Sequence, residues 1–171
     1  MKSKTPSDSR TVTTDLVLPS ETNHLSHLFG GALLAKMDSA AYITARRHSR
    51  RIAVTASVNH VAFNTAIPLG SVVTIEASVS RAFKTSMEIF IDVFIEDRIS
   101  GVRTKANEAI YTFVAVDDTM TPVEVPEIIP ETELEKSRYE AALRRKQLSL
   151  VLAGKMKPQE ATELKAIFEI E

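Results

Sequence analysis

Apolar and polar positions along the chain fall into two regimes. Over residues 28–47 (LFGGALLAKMDSAAYITARR), Leu33, Leu34, Met37, Ala41 and Ala45 recur at helical spacing in an alanine-rich stretch, which predicts a long helix. From residue 52 the period drops to two. In 52–63, Val54, Ala56 and Val58 alternate with Thr55, Ser57 and Asn59. In 72–80, Val73, Ile75, Ala77 and Val79 alternate with Thr74, Glu76 and Ser78. In 86–96, Met87, Ile89, Ile91, Val93 and Ile95 give the cleanest half-buried strand of the chain. Residues 106–116 are apolar on both faces, as a strand with neighbours on either side would be. A weaker alternation over 11–18 sets Val12, Leu16 and Leu18 on one side and predicts a first strand.

The order is therefore strand, long helix, then four strands, with short turns at 82–85 and 98–101 that imply antiparallel hairpins. One helix laid on an antiparallel sheet is an α+β architecture. Three prolines in 121–130 make an extended exit, and Thr132 with Glu135 forms a capping box that opens a helix over 133–152. Gly154 ends that helix, and Pro158 starts a shorter one to about Phe168. Residues 1–9 read as a flexible tail, 10–126 as the main domain and 127–171 as a helical C-terminal extension.

Composition narrows the chemistry. The 171 residues suit one compact domain, and 44% apolar content supports a core. A formal charge of −1 argues against a nucleic-acid partner. The chain has no cysteine, which excludes disulfides, thiolate metal sites and thiol nucleophiles; its four histidines lack HExxH-type spacing, so no metal is expected. The N-terminus is basic and polar with no apolar stretch behind it, and no segment approaches the ~18 apolar residues of a membrane span. The expected location is the cytoplasm.

Several residues could carry chemistry. Asp38 lies mid-helix with Leu34 and Ala41 one turn to either side, and a carboxylate against apolar neighbours loses hydration, which disfavours its charged form and suits a general base. A boundary aspartate on the solvent edge fits the same pattern. Asn23, in the polar loop before the helix, can hold a water with its amide oxygen or polarise a carbonyl with its amide hydrogens; a plain turn residue is the alternative. Gly30 and Gly31 put free backbone N–H groups at the positive end of the helix dipole, the ingredients of an oxyanion hole. Lys84, Thr85 and Ser86 combine a cation, hydroxyls and turn amides, a phosphate-binding set that is equally an ordinary hairpin turn. Arg46, Arg47, Arg50 and Arg51, like Arg144, Arg145 and Lys146, read as solvated charge, with a phosphate site as the sharper alternative. His24 and His27 flank the Asn23 loop. Glu21 and Asn23 have the separation of a hydratase Asp-x-Asn-Pro-x-His arrangement, but His24 stands for its proline and Ser26 for its histidine.

Five ordered blocks, TNHLSHLFGGALLAKMDSAA, VTASVNHVAF, the IPLGS turn, KTSMEIFIDV and YTFVAVD, resemble the hotdog-fold acyl-CoA thioesterases, specifically the cytosolic acyl-CoA hydrolase branch, over about residues 10–126. The resemblance implies a long helix wrapped by a curved antiparallel sheet. It also implies a dimer with active sites at its interface, assembled further as a trimer of dimers, and hydrolysis of fatty acyl-CoA with coenzyme A as product and no separate cofactor. By the same resemblance Asn23 helps place the water or thioester, Asp38 is the partner subunit's helix carboxylate, and Gly31 is the backbone donor to the thioester oxygen. Lys84, Thr85 and Ser86 contact the coenzyme A end, and Thr55, Ser57 and Asn59 border the pantetheine channel. Two positions depart from the family pattern: Phe83-Lys84 stand where the turn commonly carries Gly-Arg, and Ser71 follows IPLG where aspartate is usual. Asp38 would act as general base on water or attack directly to give an anhydride. A non-catalytic acyl-CoA-binding module on the same fold is the competing class. Its DNA-binding version expects a helix-turn-helix for which the roughly ten residues ahead of the first strand leave no room.

Overall fold

The computed structural model describes residues 2–168. Residues 1–129 and 130–171 form two compact units. In the first, five antiparallel strands, β1 (Thr11–Leu16), β2 (Ile52–Ala62), β3 (Val72–Ala82), β4 (Ser86–Glu96) and β5 (Arg103–Val116), make one sheet in the order β1-β3-β4-β5-β2. The 20-residue helix α1 (Gly30–Ser49) packs on one face and touches all five strands.

The core is the alternation in β3 and β4. Val73, Ile75, Ala77 and Val79 of β3 and Met87, Ile89, Ile91 and Val93 of β4 are buried, and they meet Leu33, Met37, Ala40, Ala41 and Ala45 of the helix. The run of alanines on the buried side lets α1 lie close to the sheet, since a helix approaches as near as its contact side chains permit. Burying such side chains contributes on the order of 1.5–3 kcal/mol for each large one. β4 pairs with both β3 and β5, and β5 with both β4 and β2, so the apolar run of β5 lies inside the sheet rather than at its edge.

The helix begins two residues later than the spacing predicts, at Gly30, and runs to Ser49. It stops because Arg50 adopts left-handed backbone at φ 56, its N–H returning to the Arg46 carbonyl. Lys36, on its outer side, pairs with Asp15 of β1 and with Glu21 at 2.7 Å, clamping the loop ahead of the helix; the Lys36 ammonium holds both carboxyls below their usual range.

Three expectations change. In β1 the buried side begins at Thr11, whereas Val12, Leu16 and Leu18 are about half exposed, because β1 is an edge strand whose helix-facing side is short and polar. The segment before β1 is not loose. Lys4 N–H donates to the Glu127 carbonyl at 2.9 Å, Ile129 N–H donates to the Lys4 carbonyl at 2.8 Å, and the Lys4 ammonium donates to the carbonyls of Arg47 and His48. The exit segment is held by this pairing, so the first unit runs to Ile129 rather than 126.

In the second unit, α2 (Glu133–Leu152) opens on the expected capping box: Glu135 N–H donates to Thr132 Oγ1 at 3.2 Å and Thr132 N–H to Glu135 Oε2 at 2.9 Å. The single helix expected from Pro158 to about Phe168 is instead a 3₁₀ turn at Pro158–Glu160 and a short α3 (Thr162–Lys165), separated by Ala161, whose ψ of 66° breaks the helical path. No helix among the described residues is long and apolar enough to cross a membrane.

Candidate active site

The site is assembled from the middle of α1 and a bulge in β2. Asp38 lies in the third turn of the helix and is half-buried. Thr55 Oγ1 donates to its Oδ1 at 2.9 Å, and no protein donor reaches Oδ2 among the described residues. Asp38 is thus a carboxylate with one oxygen fixed and one open, on the solvent edge of an apolar helix face rather than sealed within it.

Thr55 reaches Asp38 because β2 is irregular. It pairs with Phe113, yet Ser57 pairs with Thr112, so Ala56 is an extra residue in the ladder; a second shift follows between Val58 and His60. Residues paired across a sheet share a face, and Phe113 and Thr112 are consecutive on β5. Thr55 therefore points to the helix side and Ser57 to the other. Asn59 joins Ser57, its Nδ2 donating to Thr112 Oγ1 at 3.1 Å. The row Thr55, Ser57, Asn59 expected from simple alternation is divided between the two faces by the bulge.

Beneath Asp38 sits a residue the sequence did not single out. Tyr111 of β5 is buried, and its hydroxyl donates at 3.2 Å to the Leu34 carbonyl, one helical turn before Asp38. Burial first, and the Asp38 charge second, push the Tyr111 hydroxyl up to about 12, so it remains a donor at neutral pH. The only sequence signal was one phenol in an otherwise apolar strand.

The Asn23 loop occupies the N-terminal end of α1. Asn23 Oδ1 accepts from the N–H groups of Leu25 at 2.9 Å and His27 at 3.2 Å, which uses both lone pairs of the amide oxygen. These bonds engage that oxygen within its own turn; the Nδ2 hydrogens remain for an acceptor. The turn is closed further by Ser26 N–H to the Asn23 carbonyl at 3.0 Å, with Ser26 at φ 57. His24 is exposed and His27 bridges to Pro68 in the loop framework.

Helix α1 begins on Phe29, which has no capping side chain, so the Gly31 and Ala32 amides lack the partner a serine or aspartate would supply. Aromatic rings flank both glycines at ordinary contact distance: a Cβ on Gly30 would lie 3.5 Å from the Phe63 ring and one on Gly31 3.6 Å from Phe29. Gly31 and Asp38 are seven residues apart on one helix, about 10 Å along its axis. Within one chain, therefore, the free amide and the carboxylate cannot meet on one small group.

Lys84, Thr85 and Ser86 form the β3–β4 turn. The Thr85 carbonyl accepts from Ala115 N–H at 2.9 Å and the Lys84 carbonyl from Val125 N–H at 3.1 Å, which leaves the Lys84 side chain exposed. Ala115 is two residues beyond Phe113, the partner of Thr55, so this turn and the Asp38–Thr55 pair lie toward the same end of the sheet.

A long helix covering one face of a five-stranded antiparallel sheet is the hotdog architecture, and a half-open carboxylate on that helix suits it to hydrolysis. The profile of the thioesterase superfamily matches residues 25–102. An uncharacterized acyl-CoA thioester hydrolase of Bacillus subtilis is 40% identical over 138 residues, covering 81% of this chain and 80% of its own. Among solved structures, an apo-hexameric acyl-CoA thioesterase superposes with a TM-score of 0.86 at 39% identity, over 90% of this chain and 98% of that one. The acyl-CoA hydrolase of Staphylococcus aureus, solved with butyryl coenzyme A, coenzyme A and coenzyme A disulfide, superposes with a TM-score of 0.82 at 34% identity, over 95% and 98%. The chain belongs to the acyl-CoA thioester hydrolases of the thioesterase superfamily. The S. aureus enzyme has also been solved with alanine in place of an asparagine, of an aspartate fifteen residues further on, and of a threonine another seventeen on. Asn23, Asp38 and Thr55 repeat both those residue types and those two spacings.

Proposed function

We propose that the chain hydrolyses acyl-CoA thioesters, fatty acyl-CoA among them, to the carboxylic acid and coenzyme A, at sites completed by two copies of itself. The observation that carries this reading is the Thr55–Asp38 hydrogen bond, which fixes one carboxylate oxygen and leaves the other open. Asp38 Oδ2 takes a proton from water as the water oxygen bonds to the thioester carbon. The carbonyl electron pair moves to oxygen, where the Gly31 N–H and the Asn23 amide hydrogens of the other copy receive it. Collapse of this intermediate breaks the carbon–sulfur bond, and the proton on Asp38 passes to the departing thiolate. Lys84, Thr85 and Ser86 receive the coenzyme A end.

The separation of Gly31 from Asp38 along one helix supports a site shared between copies. The edge position of β2, with Ile52 and Val58 exposed, supports pairing of the two sheets there. The hexameric relatives support a trimer of such dimers. A cytoplasmic setting is part of the same proposal, supported by a rat relative named a cytosolic acyl coenzyme A thioester hydrolase, 36% identical over 73% of this chain.

The test is thiol release from acyl-CoAs of increasing chain length. Wild type should turn over, and Asp38→Asn should lose on the order of 100- to 10,000-fold in kcat with its oligomer intact. Full activity in Asp38→Asn, or coenzyme A binding without turnover by wild type at every chain length, would sink the reading.

A further inference from the structure

The side chain of Asp38 is reached from β2, by Thr55. The turn of helix that carries Asp38 is reached from β5. In an α-helix each carbonyl accepts from the N–H four residues on, so the Leu34 carbonyl is the acceptor for the amide of Asp38 itself. The Tyr111 hydroxyl donates to that same carbonyl at 3.2 Å. A carbonyl oxygen has two lone pairs and takes both donors. Tyr111 and Phe113 lie two residues apart on β5 and share its helix-facing side, and on β2 Val58 pairs with the first and Thr55 with the second. The two anchors of Asp38 therefore come from neighbouring strands, one to its side chain and one to its backbone turn.

Packing does not call for this hydroxyl. Tyr111 is 1% exposed and sits between Ile89 of β4 and Val58 of β2. Two residues on, Phe113 fills an equally buried position of the same strand with no polar atom to satisfy. Nor does the Leu34 carbonyl need a second donor, since the helix already supplies one. A buried hydroxyl is costly unless it is hydrogen-bonded, so this one ties β5 to the helix at a single carbonyl. It takes no part in proton transfer. Burial keeps the phenol protonated at neutral pH, and its hydrogen is committed to Leu34. What remains for it is to hold a position.

We propose that Tyr111 is a positioning residue for Asp38: by bonding the Leu34 carbonyl it fixes the helical turn that carries the carboxylate, as Thr55 fixes the side chain, so that Oδ2 stays aimed at the attacking water. Productive geometry tolerates errors of only about 0.5 Å. One side-chain hydrogen bond alone would leave the backbone turn free to shift against the sheet. The effect on turnover rests on the hydrolase reading; the anchoring of the turn does not.

The test is Tyr111→Phe in the full chain, which removes one oxygen and keeps the ring. Thiol release from acyl-CoA should fall about three- to ten-fold in kcat, the order expected for one neutral hydrogen bond, with KM unchanged. In Thr55→Val/Tyr111→Phe the loss should be well below the product of the two single losses, since both bonds serve one carboxylate. Unchanged kcat in Tyr111→Phe, a change in KM alone, or a double-variant loss equal to that product overturns the proposal. Should Tyr111→Phe misfold by circular dichroism, Tyr111→Met, whose flexible side chain fills irregular space, takes its place under the same criteria. Amide hydrogen exchange on the assembled protein reads the anchor without turnover. Peptides spanning residues 34–41 should exchange at least about three-fold faster in the variant, and those spanning 43–49 at the wild-type rate. Equal rates throughout, or faster exchange along the whole helix, overturns the proposal as well. If wild type releases no thiol at any chain length, the hydrolase reading falls alone, and faster exchange confined to 34–41 still upholds the anchor.

Discussion

Thr55 carries no charge and cannot itself move a proton to or from the thioester, yet the geometry makes it the orienting partner of Asp38. Thr55→Val keeps the branched shape and removes the donor. It should lower kcat by about ten-fold, the order expected for one hydrogen bond to a charged group, with KM little changed, whereas Thr55→Ser should retain most activity. Steady-state kinetics on the three proteins checks this, and equal kcat in all of them would remove Thr55 from the mechanism. Asn23 shows how structure can prune a role. Its type permits accepting or donating, and two backbone N–H groups on Oδ1 favour donation. Asp38 and Asn23 were both singled out from their sequence neighbourhoods, but each fitted a bland role as well. What bears on the roles is a hydrogen bond from strand β2 to helix α1 and a pair of backbone N–H groups on one amide oxygen, and neither is a property of local sequence.

At the scale of elements, β3, β4 and α2 are legible because each follows one rule without interruption: period two, or a capping box followed by a helical run. Strand β2 is not, because a bulge is a matter of backbone count against a neighbouring strand, and IAVTASVNHVA contains no glycine or proline to announce it. The N-terminal segment is illegible for a related reason, since polar residues that pair with a distant exit segment look the same as polar residues that pair with nothing. The join between α1 and that exit segment should depend on pH. His48 is fully buried, its Nε2 donates to the Pro126 carbonyl at 2.7 Å, and Nδ1 has no partner among the described residues. A proton on Nδ1 would therefore be buried without an acceptor, and burial holds the imidazole below its usual 6.5, with the Lys4 charge acting in the same sense. The unfolded chain takes up this proton more readily than the folded one, so the contribution is complete above pH 6.5 and is lost as pH falls below it. Thermal midpoints from pH 8 down to 5 should fall in wild type, and His48→Gln should flatten the part of that fall that begins near 6.5. An unchanged profile in the variant would assign the dependence elsewhere.

For the whole molecule, a site divided between copies predicts complementation. Asn23→Ala and Asp38→Asn should each be inactive or nearly so. After unfolding and refolding together in equal amounts, half the dimers are mixed and each has one intact site, so activity should return to about a quarter of wild type. No recovery on mixing, with both variants shown to co-assemble, would place Asn23 and Asp38 in a site within one chain.

The pairing of Lys4 with Glu127 and Ile129 has a topological consequence for the first unit. Both ends of this unit meet at one point beside the end of α1, so the path from residue 4 to 129 is a nearly closed ring. Such a ring can be cut elsewhere. The β4–β5 turn, where Ile99 is 90% exposed and Gly101 sits at φ +68, is held by little beyond Asp97. A chain opened there and joined from Ile129 back to Lys4 would thread the same five strands and helix in a new order, since exposed turns and adjacent ends are what circular permutation requires. The order in which these elements are synthesised is in that sense separable from the architecture they form.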